Sequence, residues 1–472
     1  MLNKILENLK SEEEYVCYSD GLYSCTNKEL YGYVSNIRSF LLRKNPDKKP
    51  VAVIGHKEIF VLASFLACSF AGMAYVPIDS SLPDGRVESI LRQVEPDVVL
   101  NSSICDVMCK PAEHGICDIL LNDDDVQYII FTSGSTGEPK GVRILYRNLK
   151  SCVRWLEQLW NGTNGVVLNQ ANFSFDLSVA DIYLSLVSKS THFVLPKSVQ
   201  SDYRQLFERL SLSGAQLAVF TPSFADYLLL DSSFSSALLP NLRSVIFCGE
   251  SLGRRTVSRL MKAFPGLEII NCYGPTECTF AVTSVRVSDD AQADVPIGCP
   301  KDDTDIYIVD NELNILPDGQ EGEIIITGAS VGAGYVNPSL NANRFFELCG
   351  KPAYATGDIG VLADGYFYCL GRKDRQVKYK GYRIELQEIE NVISSTDGCV
   401  NCRVCALKNS KGAVRRIFAF VQLRQGEDIK ALENKLGNML PEYMLPEIRV
   451  VDSIPLTANG KTDEKKLMEC YI

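Results

Sequence analysis

Histidine is scarce: the 472 residues hold three, His56, His114 and His192, none beside a nucleophile or at a metal-ligand spacing. Neither a Ser-His-Asp hydrolytic site nor a histidine zinc site is therefore supported. Basic charge is also in short supply. Lysine and arginine total 48 against 58 acidic residues, a net charge of −10, which disfavours nucleic acid or an anionic membrane as the main partner, since neutralising phosphates needs a basic surface. The start of the chain, MLNKILENLKSEEEY, has no signal-peptide pattern. The seventeen cysteines, which would suggest a disulfide framework in a small secreted domain, are scattered through a large chain and read as reduced, cytoplasmic thiols. Internal repeats and low-complexity linkers are absent. One charge-free run, Ile59 to Ile78, is about long enough to span a bilayer. It breaks at Ala71-Gly72 and continues as Ala-Tyr-Val-Pro-Ile, so it reads as a buried helix followed by a short strand, with no membrane insertion.

What is present is the balance of a folded soluble protein, 46% hydrophobic and 22% charged residues, in a length that implies two to four subdomains. Short apolar runs at Pro50–Ile54, Ala74–Ile78, Asp97–Leu100, Tyr128–Phe131, Gly165–Leu168, Gln216–Phe220, Ser244–Cys248 and Leu267–Asn271 alternate with helical patterns such as Ser201–Ser213. That rhythm predicts an α/β fold with buried strands. From about Ile306 the texture changes: Ile306-Tyr-Ile-Val, Glu323-Ile-Ile-Ile and Tyr366-Phe-Tyr lie among Asp-Gly turns, predicting hairpins in a small β subdomain. After Gly371 a charged segment, GRKDRQVKYKGYRIE, precedes a helix-strand-strand-helix pattern, a compact α+β terminal domain. The expected division is a large domain of stacked α/β sheets over 1–372, with the β subdomain at about 296–372, and a small terminal domain over 375–472.

Directly after the strand YIIF comes TSGSTGEPKGV, Thr132 to Val142. Small residues let backbone N–H groups turn toward an anion, the hydroxyls of Thr132, Ser133, Ser135 and Thr136 add donors, and Lys140 adds positive charge. Phosphate binding through Gly134, Gly137 and their neighbours is the expected role. It is not a Walker A loop, which would need Gly-Lys-Ser/Thr four residues after Gly134, where this chain has Glu138-Pro139-Lys140-Gly141. A flexible surface loop is the plainer alternative.

TSGSTGEPKG resembles the phosphate loop of the acyl-adenylate-forming superfamily, which includes acyl-CoA ligases, firefly luciferase and the adenylation domains of nonribosomal peptide synthetases. The other motifs of that family follow in order: AGMAYVPID at Ala71, FSFDLSVADIY at Phe173, NCYGPTECT at Asn271, YATGDIG at Tyr354, GRKDRQVKYKGYRIELQEIE at Gly371 and LTANGK at Leu456. The resemblance implies ATP and Mg²⁺ as cofactors. In NCYGPTE it implies a nucleotide-binding turn made by Asn271, Tyr273, Gly274 and Thr276, with the Tyr273 ring against adenine and Glu277 as the Mg²⁺ ligand. Asp358 is expected to accept the ribose hydroxyls and Arg372 to approach the ribose or the α-phosphate. Asp374 matches the family hinge, about which the terminal domain turns between two half-reactions. Lys461, on an Asn-Gly turn, is expected to carry the adenylation step, because a cation must bridge an attacking carboxylate and a charged phosphorus. Glu277 and Arg372 complete the expected catalytic set.

Asp176 separates substrate classes, since a carboxylate in an apolar pocket is costly unless it pairs with a cation such as an α-ammonium. Motif alignment with the peptide synthetases makes Asp176, Leu177, Ala180, Val219, Ile246, Cys248, Cys272, Phe280 and Ala281 the expected lining. It holds no second charge, which disfavours acidic and basic substrates. Within the superfamily the chain resembles the D-alanine:D-alanyl carrier protein ligases, through FDLSV, TPSF at Thr221, FCGE at Phe247 and AVTS after Phe280. Cys248 falls where that family has a cysteine shaping a methyl-sized pocket. Two positions depart: alignment expects methionine where Ala180 stands and valine where Phe280 stands, so the cavity is reshaped. Another apolar amino acid, activated by a stand-alone enzyme of the peptide-synthetase type, is the alternative.

The chain ends soon after Lys461 with no appended carrier domain, so the expected partner is a phosphopantetheinylated carrier protein acting in trans on a monomeric enzyme. Lys373, Arg375, Lys378, Lys380 and Arg383 are either a basic patch facing the incoming arm or an ordinary solvated hinge. Cys399, Cys402 and Cys405 are spaced like a metal-cluster fragment, but if the segment is a strand Cys402 points away from the other two, and structural cysteines are expected.

Overall fold

A computed structural model describes residues 1–111, 115–134, 137–288, 295–409, 414–424, 429–455 and 462–472. His114, Ser135, Thr136 and Lys461 lie outside the described residues. The chain forms two compact units. The first comprises Met1–Ser80, Val94–Ile130 and Gly141–Lys373; the second comprises Ser81–Gln93, Phe131–Lys140 and Asp374–Ile472. The terminal domain expected as one contiguous stretch thus gains two short upstream segments.

The apolar runs are strands of two large sheets. In a nine-stranded sheet, Glu268–Tyr273, Ser244–Phe247, Leu217–Phe220, Val166–Asn169 and Thr191–Val194 lie side by side, all parallel. Strands of a parallel sheet are covered on both faces, which is why LAVF is apolar throughout, SVIF is apolar after Ser244, and both are wholly buried. Val16–Ser19 and Ser24–Thr26 extend one edge, Thr283–Arg286 and Cys299–Pro300 the other. A five-stranded sheet runs in the order Val98–Leu100, Val51–Gly55, Tyr75–Asp79, Val126–Thr132, Lys140–Leu145.

The charge-free run resolves as expected into the helix Ile59–Ala71 and the strand Tyr75–Asp79. Gly72 ends the helix at φ +72°, where a Cβ would stand 2.7 Å from the Leu120 carbonyl oxygen, so the chain must turn there on a glycine. Thirteen residues cover about 20 Å, short of a bilayer core. Among the described residues no helix is long and apolar enough to cross a membrane.

The change of texture near Ile306 is an antiparallel sheet in which Lys351–Ala363 pairs with Gly322–Gly328, Phe345–Leu348 and Tyr366–Arg372, and Thr304–Val309 closes the edge. In the second unit the hairpin Gln376–Tyr379/Tyr382–Glu385 leads into the helix Leu386–Ser394 and a three-stranded sheet of Cys399–Lys408, Val414–Leu423 and Glu447–Val450. Val377, Ile389, Val404, Ala419, Leu432 and Met444 fill its core.

The disposition of the three spaced cysteines needs correction. The register of Cys399–Lys408 shifts between Cys399 and Asn401. That extra residue breaks the alternation and brings Cys399 and Cys402 to one face, where both pack against the core containing Val404 and their thiols interact. Cys405 alone turns to the other face, against Phe418 and Phe420. They remain free thiols, and no group of three or more ligating side chains that could hold a metal occurs among the described residues.

Candidate active site

Asp176 stands at the mouth of the helix Leu177–Val187, which follows the strand Val166–Asn169. Val179 N–H donates to the Asp176 carbonyl at 3.0 Å, and the Ser178 hydroxyl returns to the Phe175 carbonyl at 2.6 Å, so the first turn is tied to the segment before it. The carboxylate is buried, 8% exposed. The eight apolar positions expected around it, Leu177, Ala180, Val219, Ile246, Cys248, Cys272, Phe280 and Ala281, all belong to one hydrophobic cluster of the first unit. Parallel pairing brings two of them together, Val219 opposite Ile246, with Ile270 on the next strand opposite Ile246. Two residues that motif reading missed share the cluster, Tyr128 and Cys152. Burial raises both their acidities' pKa, that of Cys152 to about 12, and each also feels the Asp176 charge. Only the fold could find them, because Tyr128 and Cys152 precede every pocket motif by more than a turn of chain. Thr279 and Phe280 take left-handed backbone angles, φ 62° and 69°, uncommon for a β-branched and a bulky residue. This strained bend carries Phe280, one of the two positions where the lining departs from expectation.

The nucleotide residues of the first unit form a second set. Asp358 and Arg372 face one another across paired strands, joined by an ion pair, and Tyr273 Oη donates to Asp358 Oδ2 at 2.5 Å. Thr356 supports both: its hydroxyl accepts from Asp358 N–H at 2.9 Å and its carbonyl accepts from Arg372 at 3.2 Å. Burial first, then the Asp358 carboxylate, pushes the Tyr273 phenol well above its usual range. Asn271 donates to the Pro296 carbonyl at 2.7 Å while its buried Oδ1 has no hydrogen-bond partner among the described residues. Gly274 lets the chain pass so close that a Cβ would lie 2.5 Å from Ala281 Cα. Thr276 and Glu277 open a short 3₁₀ turn, and the fully buried Glu277 accepts from Tyr335 Oη at 2.7 Å. A single carboxylate of this kind fits Mg²⁺, which takes one or two protein carboxylates and fills its remaining positions with phosphate and water oxygens.

The phosphate loop belongs to the second unit and is engaged there. Gly134 allows the tight turn, since a Cβ would fall 2.0 Å from the Glu138 carbonyl oxygen. Gly134 N–H donates to Glu388 Oε2 at 2.8 Å, the Ser133 hydroxyl donates to the Arg383 carbonyl at 2.8 Å and accepts from Glu385 N–H at 3.1 Å, and Lys140 pairs with Glu385 at 3.3 Å. Glu388 is fully buried and also paired with Arg86. Thr132 Oγ1 is buried without a hydrogen-bond partner among the described residues, and Gly137 adopts φ +92°. Asp374 is the first residue of the unit's last segment and accepts from Gln376 N–H at 3.2 Å. Of the basic residues nearby, Arg375 grips Glu390 with two hydrogen bonds of 2.9 and 3.0 Å, and Lys373 reaches Glu323 and Asn311. Those two cations are therefore committed to neighbours.

Over residues 6–336 the sequence matches the family described as AMP-binding enzyme, and over 388–461 the AMP-binding enzyme C-terminal domain. It is similar to the D-alanine--D-alanyl carrier protein ligase of Listeria innocua, 39% identical over 99% of each chain, and to that of Bacillus licheniformis, 38% identical over 90% of this chain and 89% of the other. In fold it is similar to the Vibrio cholerae adenylation domain AlmE in complex with glycyl-adenosine-5'-phosphate, with a TM-score of 0.88 and 23% identity over 99% of this chain and 96% of that one.

Proposed function

The chain belongs to the AMP-binding enzyme family and is a ligase, and from that premise we propose that it uses ATP to activate a small apolar amino acid, D-alanine, and passes it to the phosphopantetheine thiol of a separate carrier protein. The observation that carries the reading is Asp176, one buried carboxylate beside an otherwise apolar set. Such a group is stable with a cationic partner, which an amino acid supplies and a fatty or aryl acid does not. The similarity to the Listeria and Bacillus ligases, over 99% and 90% of this chain, supports D-alanine and the carrier.

In the first half-reaction a carboxylate oxygen of the substrate attacks the α-phosphorus of ATP, the bond to the bridging oxygen breaks, and pyrophosphate leaves with the electron pair. Asp176 holds the ammonium and so orients the carboxylate. Lys461 bridges carboxylate and phosphoryl oxygens as negative charge accumulates. Asn271 presents its unpartnered Oδ1 to an exocyclic amine of the base, and Asp358 exchanges its present donors for ribose hydroxyls. Glu277 would hold Mg²⁺, which would neutralise phosphate charge. In the second half-reaction the carrier thiolate attacks the acyl carbon, AMP departs, and Asp374 is the pivot of the terminal segment.

The test is exchange of labelled pyrophosphate into ATP with a panel of D- and L-amino acids. D-Alanine should support the fastest exchange; Asp176→Ala should abolish it and Lys461→Ala should reduce it by about a hundredfold or more. Exchange with no amino acid, or undiminished exchange in Asp176→Ala, overturns the reading.

A further inference from the structure

One buried polar cluster plays no part in the mechanism above. Lys57, 2% exposed, follows the strand Val51–Gly55 of the five-stranded sheet and reaches across to the nine-stranded one. There its ammonium donates to the carbonyls of Gln170 and Leu195, both at 2.8 Å. These carbonyls lie just past the ends of the parallel strands Val166–Asn169 and Thr191–Val194. Its own backbone is held by Tyr18, whose hydroxyl donates to the Lys57 carbonyl at 2.6 Å. Asp181, fully buried on the helix Leu177–Val187, accepts from Asn169 Nδ2 at 2.9 Å, and the same amide donates to the Ala171 carbonyl at 3.0 Å. Residues 170–176 are thus anchored at their first two positions by Lys57 and Asn169, and run into the helix that Asp181 holds.

The geometry points to Lys57 and Asp181 as positioning residues for amino-acid recognition, a strut between the two sheets that fixes the segment carrying Asp176. This rests on the reading of Asp176 as the ammonium partner. The cluster is a poor way to build stability. Burial lowers the Lys57 ammonium to about 7, against the pull of Asp181 and Asp79. Among the described residues neither ring nitrogen of His192, fully buried 3.9 Å from Asp181, has a hydrogen-bond partner, and Asp181 Oδ1, Asn169 Oδ1 and Gln170 Oε1 have none either. Apolar side chains of equal volume would fill such a place at lower cost. What charge supplies that they do not is direction, and the directed element is the segment leading to Asp176.

Gln200 Nε2 donates to the same two carbonyls, at 2.9 Å to Gln170 and 2.7 Å to Leu195, so removal of the ammonium leaves neither unsatisfied and Lys57→Met should fold. Amide hydrogen exchange of the full chain is measured for Lys57→Met and for the isosteric Asp181→Asn, together with KM for amino acid and for ATP in pyrophosphate exchange. Both variants should speed exchange across 170–176 with the strands Ser244–Phe247 and Glu268–Tyr273 unchanged. Both should raise the amino-acid KM about tenfold or more and leave the ATP KM unchanged. An unchanged amino-acid KM, an equal rise in both KM values, or exchange that quickens throughout the first unit overturns the proposal. If the unaltered chain activates no amino acid, the functional reading fails, and the amide-exchange arm still reports on the strut.

Discussion

Cys152 and Cys405 are held up at about 12 and Cys402 at about 11, in each case mainly by burial, because a thiolate loses more hydration than a thiol when water is removed. Thiolate is the reactive form, so thiol reactivity should follow the fold and not the residue count. With a thiol reagent at pH 8, five cysteines should react quickly in the folded chain, the exposed Cys109, Cys117, Cys299, Cys349 and Cys470. Cys152, Cys248 and Cys272, buried by the fold itself, should react only on unfolding; rapid labelling of these three in the folded chain, mapped by peptide mass, would contradict their burial. At this scale the sequence names residue types but not their neighbours. Asp176 is legible as a carboxylate in apolar surroundings because its flanking residues are contiguous. Tyr128 and Cys152 are not, because their proximity to it comes from strand and helix packing.

At the scale of elements, the strands and the helix expected from apolar runs form within a residue or two of their expected limits, since period and breaker residues act locally. The bend from Tyr273 to Ala281 is different. It combines the close approach at Gly274 with two non-glycine residues in left-handed conformations, and nothing in YGPTECTFA requires that by itself. Gly274→Ala should therefore cost about 1–3 kcal/mol by overpacking against backbone, seen as a lower urea midpoint, and should lower activity by displacing Thr276 and Glu277. A variant with unchanged midpoint and activity would show that the bend yields freely. The bulge at Cys399 shows the reverse limit: strict alternation predicts Cys402 facing away from Cys399, and one extra residue puts them together.

At the scale of the molecule, three separate stretches of chain make the second unit, and one buried carboxylate of the last binds both of the others. Glu388 accepts from Gly134 N–H and pairs with Arg86. Arg86→Ala leaves that charge buried without its cation, which should cost about 3–5 kcal/mol. Replacing Arg86 and Glu388 together by methionine and leucine should recover much of it. Urea unfolding followed by amide exchange in the helix Leu386–Ser394 checks both; a single variant as stable as the unaltered chain would mean that the pair carries no load.

The sequence by itself determined the α/β class, the family and the order of its motifs, because period, turn chemistry and motif spacing are written in neighbouring residues. Tertiary structure alone decided that the phosphate loop packs with Glu385 and Glu388, that Lys57 ties two sheets together, and that Tyr128 and Cys152 join the apolar set near Asp176. Each of these joins residues from about 25 to more than 250 positions apart. Which distant side chains meet depends on how packed elements are stacked, and no local pattern of residues encodes that.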